Sequence, residues 1–132
     1  MAATVTPLYA GLAGLLLLIL SFRVVRLRQR LRVDLGDAGQ PPLTQAIRAQ
    51  ANFIEYTPLV LLLILLLELA GSSRALLHGL GIVIVAGRIA HAYGLSTNPG
   101  LSAGRLVGII CTWLALLVAA ALCILGSFGV KL

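Results

Sequence analysis

The chain has 132 residues, 60% of them hydrophobic and only 11% charged, with a mean hydropathy of +1.06. A soluble domain of this length carries about 25% charged residues, so composition excludes a water-soluble globular protein and points to an integral membrane protein. The net charge of +6 comes with neither a soluble module nor interleaved aromatics, which argues against nucleic-acid binding and leaves topology, anionic lipid or an anionic ligand as its uses.

Crossing the hydrocarbon core takes about 20 residues per helix. The length therefore allows four spans with short connections, and the fold class expected is all-α, an integral membrane four-helix bundle forming a single domain over 1–132. The first span is expected at about 7–32, with Pro7 in its opening turn and an apolar core over 8–22. Arg23, Arg26, Arg28, Arg30 and Arg32 crowd its far end, so the basic charge follows the first apolar run and does not precede it as in a cleavable signal peptide. Asp34 to Pro42 reads as a loop on its aspartates, glycines and paired prolines.

The second span is expected at 43–70, with Pro58 inside it as a source of a kink. Gly71, Ser72 and Ser73 make a short turn, with Ser73 a candidate N-cap for a third span at 74–95. Residues 96–100 form the next loop, and Ser102 is placed to cap a fourth span at 102–125. Cys111 and Cys123, twelve residues apart on one helix, stand about 18 Å apart along its axis and read as small apolar residues rather than a disulfide.

With four spans, the first and third loops share a side. Arg23, Arg26, Arg28, Arg30, Arg32, Arg48, Arg88 and Arg105 fall there, against Arg74, His78 and Lys131 on the other. The positive-inside rule then puts both termini on the non-cytoplasmic side.

Chemistry concentrates at the arginine-rich end. On a helical wheel Arg48, Asn52 and Glu55 fall at roughly 0°, 40° and −20°, one narrow stripe at the start of an apolar helix. Ionisable groups in a span cost roughly 2.5–3.5 kcal/mol each on insertion scales, which makes such a cluster a functional-site hypothesis. Tyr56 follows Glu55, the third span brings Arg88, His91 and Tyr93 to the same level, and the fourth brings Arg105. Planar guanidinium groups grip carboxylates bidentately, a carboxylate can hold an ammonium, and a carboxamide both donates and accepts. A small peptide such as glutathione matches that set. The structural alternative is an Arg48–Glu55 pair bridging helices with Asn52 as interhelical glue. Arg88 could equally pair with Glu55 or Glu68. Glu68, near the far end of the second span, reads as interfacial and without a ligand role. No spacing suits a metal, and none is expected.

The run Arg48-Ala-Gln-Ala-Asn52-Phe-Ile-Glu55-Tyr56-Thr-Pro58, with Val25-Arg26-Leu27-Arg28 before it and Gly87-Arg88-Ile-Ala-His91 after it, resembles the MAPEG family, the membrane-associated proteins in eicosanoid and glutathione metabolism. The second-span run is similar to the leukotriene-C synthase type and the other two to the prostaglandin E synthase type. The resemblance spans the chain in length, helix count and motif order, and suggests a member of the bacterial type in an inner membrane. It implies a homotrimer that binds glutathione as cosubstrate between subunits near the cytoplasmic face, and that acts on a lipophilic electrophile or peroxide reaching it from the lipid bilayer. By position, Arg26, Arg48, Asn52, Glu55, Tyr56 and His91 would contact glutathione, with Arg88 and Tyr93 as further candidates. Arg105 would be the catalytic residue, its guanidinium favouring the thiolate. The chain departs from the prostaglandin-synthase pattern at Ala51, where that pattern has a second arginine, and at Leu95, where it has a tyrosine. A non-catalytic binder of lipid or glutathione on the same fold is the alternative. A small multidrug transporter is set aside, because it needs a carboxylate in the first span.

Overall fold

A computed structural model describes residues 3–98 and 100–130. It contains four helices, α1 (Thr6–Leu31), α2 (Pro41–Leu69), α3 (Arg74–Thr97) and α4 (Ala103–Ser127). Each is long and apolar enough to cross a membrane. Lys131 lies outside the described residues, and so does Pro99 in the α3–α4 loop.

The helix ends follow local chemistry. Pro41 and Pro42 open α2 and are not part of the loop before it, because a first-turn residue has no intrahelical use for its N–H and proline comes with a helical φ. Ser73 and Ser102 cap α3 and α4, their hydroxyls accepting from the Leu76 and Arg105 amides at 3.4 and 3.3 Å. Arg32 closes α1 in the left-handed conformation (φ 56°). The α3 helix runs two residues beyond its expected end, where the Thr97 hydroxyl donates to the Tyr93 carbonyl at 3.0 Å. The α2 helix passes through Pro58 without interruption, the ring turned to the surface.

The helices pack in the order α1–α2–α3–α4, with diagonal contacts between α2 and α4 and between α1 and α3; α1 and α4 do not meet among the described residues. One apolar core joins Val5 and Tyr9 to Val60, Ile64, Leu67, Leu77, Ile84 and Ala119. A second, towards the arginine-rich end, joins Ala13 and Leu20 to Ala49, Phe53, Ala92 and Leu95. The outward flanks stay apolar, with Leu15, Ile19, Phe22, Leu62, Leu66, Leu114 and Leu117 all exposed. A surface of that kind suits lipid and is a liability in water.

Helices α3 and α4 approach backbone to backbone. A Cβ added to Gly108 would stand 2.5 Å from the Gly87 carbonyl oxygen, and one added to Gly94 would stand 2.5 Å from the Arg105 amide nitrogen. Small residues let the two backbones touch, the usual device for packing helices without a hydrophobic driving force.

At the other end of the bundle, Glu68 has a structural use. It is buried, and its carboxylate accepts from the backbone amides of Thr4, Val5 and Thr6 at 2.6, 2.6 and 2.7 Å. Val5 brings no side-chain cap of its own, so α1 is capped by a carboxylate from α2. Beside it the Tyr9 hydroxyl and His78 Nδ1 are 2.8 Å apart.

Candidate functional site

The arginine-rich end holds a cavity of about 250 Å³ lined by Thr44, Gln45, Arg48, Asn52, His91, Leu95 and Arg105. Three helices build it. Thr44, Arg48 and Asn52 follow one another at four-residue intervals, one face of α2. His91 and Leu95 stand in the same relation on α3. Arg105 enters from the first turn of α4, where the Ser102 cap and the contact with Gly94 fix its backbone.

Electrostatically the cavity is cationic, with the acids Glu55 and Asp37 at its edge, each bonded to a residue that lines it. Arg48 Nη1 lies 3.7 Å from Glu55 Oε1, and these side chains are 59% and 47% exposed in the single chain. Asn52 Nδ2 donates to Glu55 Oε2 over a long 3.5 Å. Arg105 Nη1 donates to the Gly100 carbonyl at 2.9 Å, which holds one arm of its guanidinium to the α3–α4 loop. His91 is buried beneath these groups.

The structure thus gathers Arg48, Asn52, His91 and Arg105 around one space, with Glu55 paired to Arg48 beside it. Tyr56 does not line the cavity; its ring lies 6.0 Å from the Arg88 guanidinium carbon. Arg88 pairs with neither Glu55 nor Glu68 but donates to Asn52. Tyr93 is 70% exposed on another side of α3, and Leu95 occupies the wall instead. Arg26 is not brought to the cluster within this chain. It lines a larger open groove of about 860 Å³ on α1, with Ile19, Phe22, Arg23, Leu27, Gln29, Arg30 and Pro42. The groove is apolar at one end and basic at the other, and carries no acid.

Sequence reasoning missed Thr44 and Gln45. The four-residue spacing of Thr44 from Arg48 was the available signal. The Thr44 hydroxyl donates to Asp37 Oδ2 at 2.7 Å, and the Gly39 amide donates to Asp37 Oδ1 at 3.0 Å. These two bonds, the Thr44 bond first, hold the Asp37 carboxyl below the usual carboxylate range. They also tie the α1–α2 loop to the cavity wall.

Not all of the basic run is available to a ligand. Arg23 donates to the Ser96 carbonyl at 3.1 Å and joins α1 to the end of α3. Arg28 binds the Gly36 carbonyl at 2.8 Å and folds the loop back over the helix end.

The MAPEG family matches this chain over residues 6–125. The inner membrane protein YecN of Escherichia coli strain K12, and that of strain CFT073, are each 44% identical to it over 114 residues, covering 86% of both chains. The four apolar helices and this kinship support an integral inner-membrane location. A family match over nearly all of the four helices, on a bundle of the expected order, makes this chain a member of the MAPEG family.

Proposed function

We propose that the protein is a membrane-embedded glutathione-dependent transferase or peroxidase acting on a lipophilic electrophile, working as a homotrimer with both termini on the non-cytoplasmic side and its site towards the cytoplasm. The observation that carries this reading is the convergence of Arg48, Asn52, His91 and Arg105 on one cavity, with Glu55 at its edge. Glutathione has two carboxylates, one ammonium, two amides and a thiol. Arg48 and the Asn52 amide suit its carboxylates, and Glu55 suits its ammonium.

Arg105 is the candidate for the chemical step. A guanidinium beside the sulfur favours the thiolate, which is the nucleophile. In a transfer reaction the thiolate attacks an electrophilic carbon, a sulfur–carbon bond forms, the leaving group departs with its electron pair, and the thiol proton passes to solvent. The protein supplies orientation and a preorganised positive charge. With a peroxide, the thiolate attacks one oxygen and the oxygen–oxygen bond breaks. The other oxygen leaves as an alcohol after taking a proton from solvent, and a second glutathione displaces the sulfur-bound hydroxyl as water to give the disulfide.

Two features support self-association. An ion pair lying roughly half exposed on the flank of an apolar helix is costly against lipid, and a second copy of the chain would cover it. A cavity of about 250 Å³ is also small beside ordinary ligand pockets of roughly 300–1,000 Å³. Arg26, on its separate α1 groove, would then complete the site of a neighbouring subunit.

Leu95 favours a second reading. It puts an apolar wall where the prostaglandin-synthase pattern has a tyrosine, as a non-catalytic binder of glutathione or lipid would have. Purified protein with glutathione and an aryl-halide acceptor separates the two, with Arg105→Ala as the comparison. Turnover that disappears in the variant supports the enzyme. Glutathione-dependent thermal stabilisation without turnover supports the binder, about 2.7 kcal/mol at a hundred times the dissociation constant. Neither effect would count against both.

A further inference from the structure

Arg88 stands just past the midpoint of α3 and is 1% exposed. A guanidinium buried so deeply in an apolar bundle normally has a carboxylate beside it. Here the ion pair among the described residues is Arg48–Glu55, and Arg88 has none. Its Nη1 donates instead to both oxygens of Asn52, the side-chain Oδ1 at 2.8 Å and the backbone carbonyl at 3.2 Å. Its Nε and Nη2 are buried without a hydrogen-bond partner among the described residues. The residue does not line the cavity.

We infer that Arg88 is a positioning residue that fixes which way the Asn52 carboxamide points, so that Asn52 offers a ligand donors only. A guanidinium has five N–H groups and no acceptor. The Asn52 atom at 2.8 Å must therefore be oxygen, since the flipped amide would set an N–H against an N–H. With the oxygen held inward, the NH₂ group is left for Glu55, at 3.5 Å, and for the cavity that Asn52 lines. The order runs Arg88 to Asn52 to Glu55, with Arg48 closing on Glu55 from the other side. Of these four side chains Arg48, Asn52 and Arg105 donate, and Glu55 accepts. The part of the ligand that meets Asn52 is then an acceptor, a carboxylate or a peptide carbonyl, and its ammonium belongs at Glu55. This rests on the glutathione reading and deepens it by assigning the chemistry of one contact.

The test compares wild type, Arg88→Met, Arg88→Lys, Asn52→Asp and the Asn52→Asp/Arg88→Met double variant in detergent, by thermal midpoint and by glutathione titration. Arg88→Met removes an unpaired buried charge, so it keeps the wild-type midpoint or exceeds it, yet binds glutathione about tenfold more weakly because the Asn52 amide is no longer held. In turnover, KM rises and kcat at saturation stays put, a split that general loss of structure would not give. Arg88→Lys recovers part of the affinity, because an ammonium also donates to Oδ1. Asn52→Asp gives Arg88 a counter-ion and raises the midpoint, does not raise it in the Arg88→Met background, and abolishes glutathione binding by offering acceptors only. Should Arg88→Met fail to fold, Arg88→Lys against wild type reads the affinity change, and Asn52→Asp alone reads the contact.

Unchanged glutathione affinity in Arg88→Met or Arg88→Lys would overturn the inference while leaving the glutathione reading intact. A midpoint gain from Asn52→Asp that is the same with and without Arg88 would overturn the contact itself. No glutathione binding by wild type would overturn the reading of the site, and this role for Arg88 with it.

Discussion

Gly108 of α4 and His91 of α3 meet backbone to backbone: a Cβ added to the glycine would stand 2.5 Å from the His91 amide nitrogen. This contact sets the separation of the two helices that bring His91 and Arg105 to the cavity. Gly108→Ala should destabilise the protein by about 1–3 kcal/mol through overpacking, and should weaken the response to glutathione by moving both residues. Gly79, on the same α3 helix but with nothing within 4 Å of an added Cβ, is the control. Gly79→Ala should be neutral, or stabilising by roughly 0.5–1 kcal/mol, because alanine loses less backbone freedom in a helix. Thermal midpoints of the two variants in one detergent make the comparison.

Ser102 holds the first turn of α4 through its bond to the Arg105 amide. Ser102→Ala should cost about 1 kcal/mol, the usual loss for an N-cap. Ser73→Ala removes the matching cap of α3 at the opposite end. Both should lower the thermal midpoint by similar amounts, but only Ser102→Ala should also lower turnover, because only it loosens a helix end that carries a residue of the proposed chemistry.

Glu68→Gln tests the cap that α2 supplies to α1. The carboxylate accepts from three amides, and a carboxamide has one oxygen with which to replace two. Faster hydrogen exchange at Thr4, Val5 and Thr6, with little change near the cavity, is the expected result. Unchanged exchange at those amides would show that the cap does not hold the start of α1.

Asp37 gives a pH dependence of known sign. Its folded carboxyl titrates below its ordinary value because Thr44 and Gly39 donate to it. The contribution is therefore fully present above the unfolded value of about 3.9 and is lost as pH falls through the lower folded value. The gap in thermal midpoint between wild type and Asp37→Asn should be constant from neutral pH to mildly acidic pH, then close in stronger acid. A gap that does not change with pH would mean that these bonds leave the carboxyl unperturbed.

Four spans, two serine caps and the stripe of Arg48, Asn52 and Glu55 were legible because each depends on residues within a turn or two of one another. What escaped depends on neighbours that one helix cannot announce. Pro41 and Pro42 read as loop residues, since paired prolines mark a turn as readily as a helix start. The capping role of Glu68 escaped because the amides it binds lie more than sixty residues earlier in the chain. Arg88 read as one half of an ion pair or as a ligand contact, because nothing local shows that its partner is an amide oxygen of α2. Tyr93, a candidate contact, differs from Leu95 by two positions and so faces another side of α3. Arg26 stays apart from the cluster, since a single chain does not join the α1 groove to the cavity.

Calorimetric titration of the purified protein with glutathione, run in two buffers of different ionisation enthalpy, reports binding and proton release together. If the cavity of Arg48, Asn52, His91 and Arg105 holds glutathione with its sulfur charged, wild type binds it and releases a proton near neutral pH, and Arg105→Ala still binds but releases little. Binding with no proton release by wild type would contradict the role given to Arg105, and no heat of binding at millimolar glutathione would contradict the site.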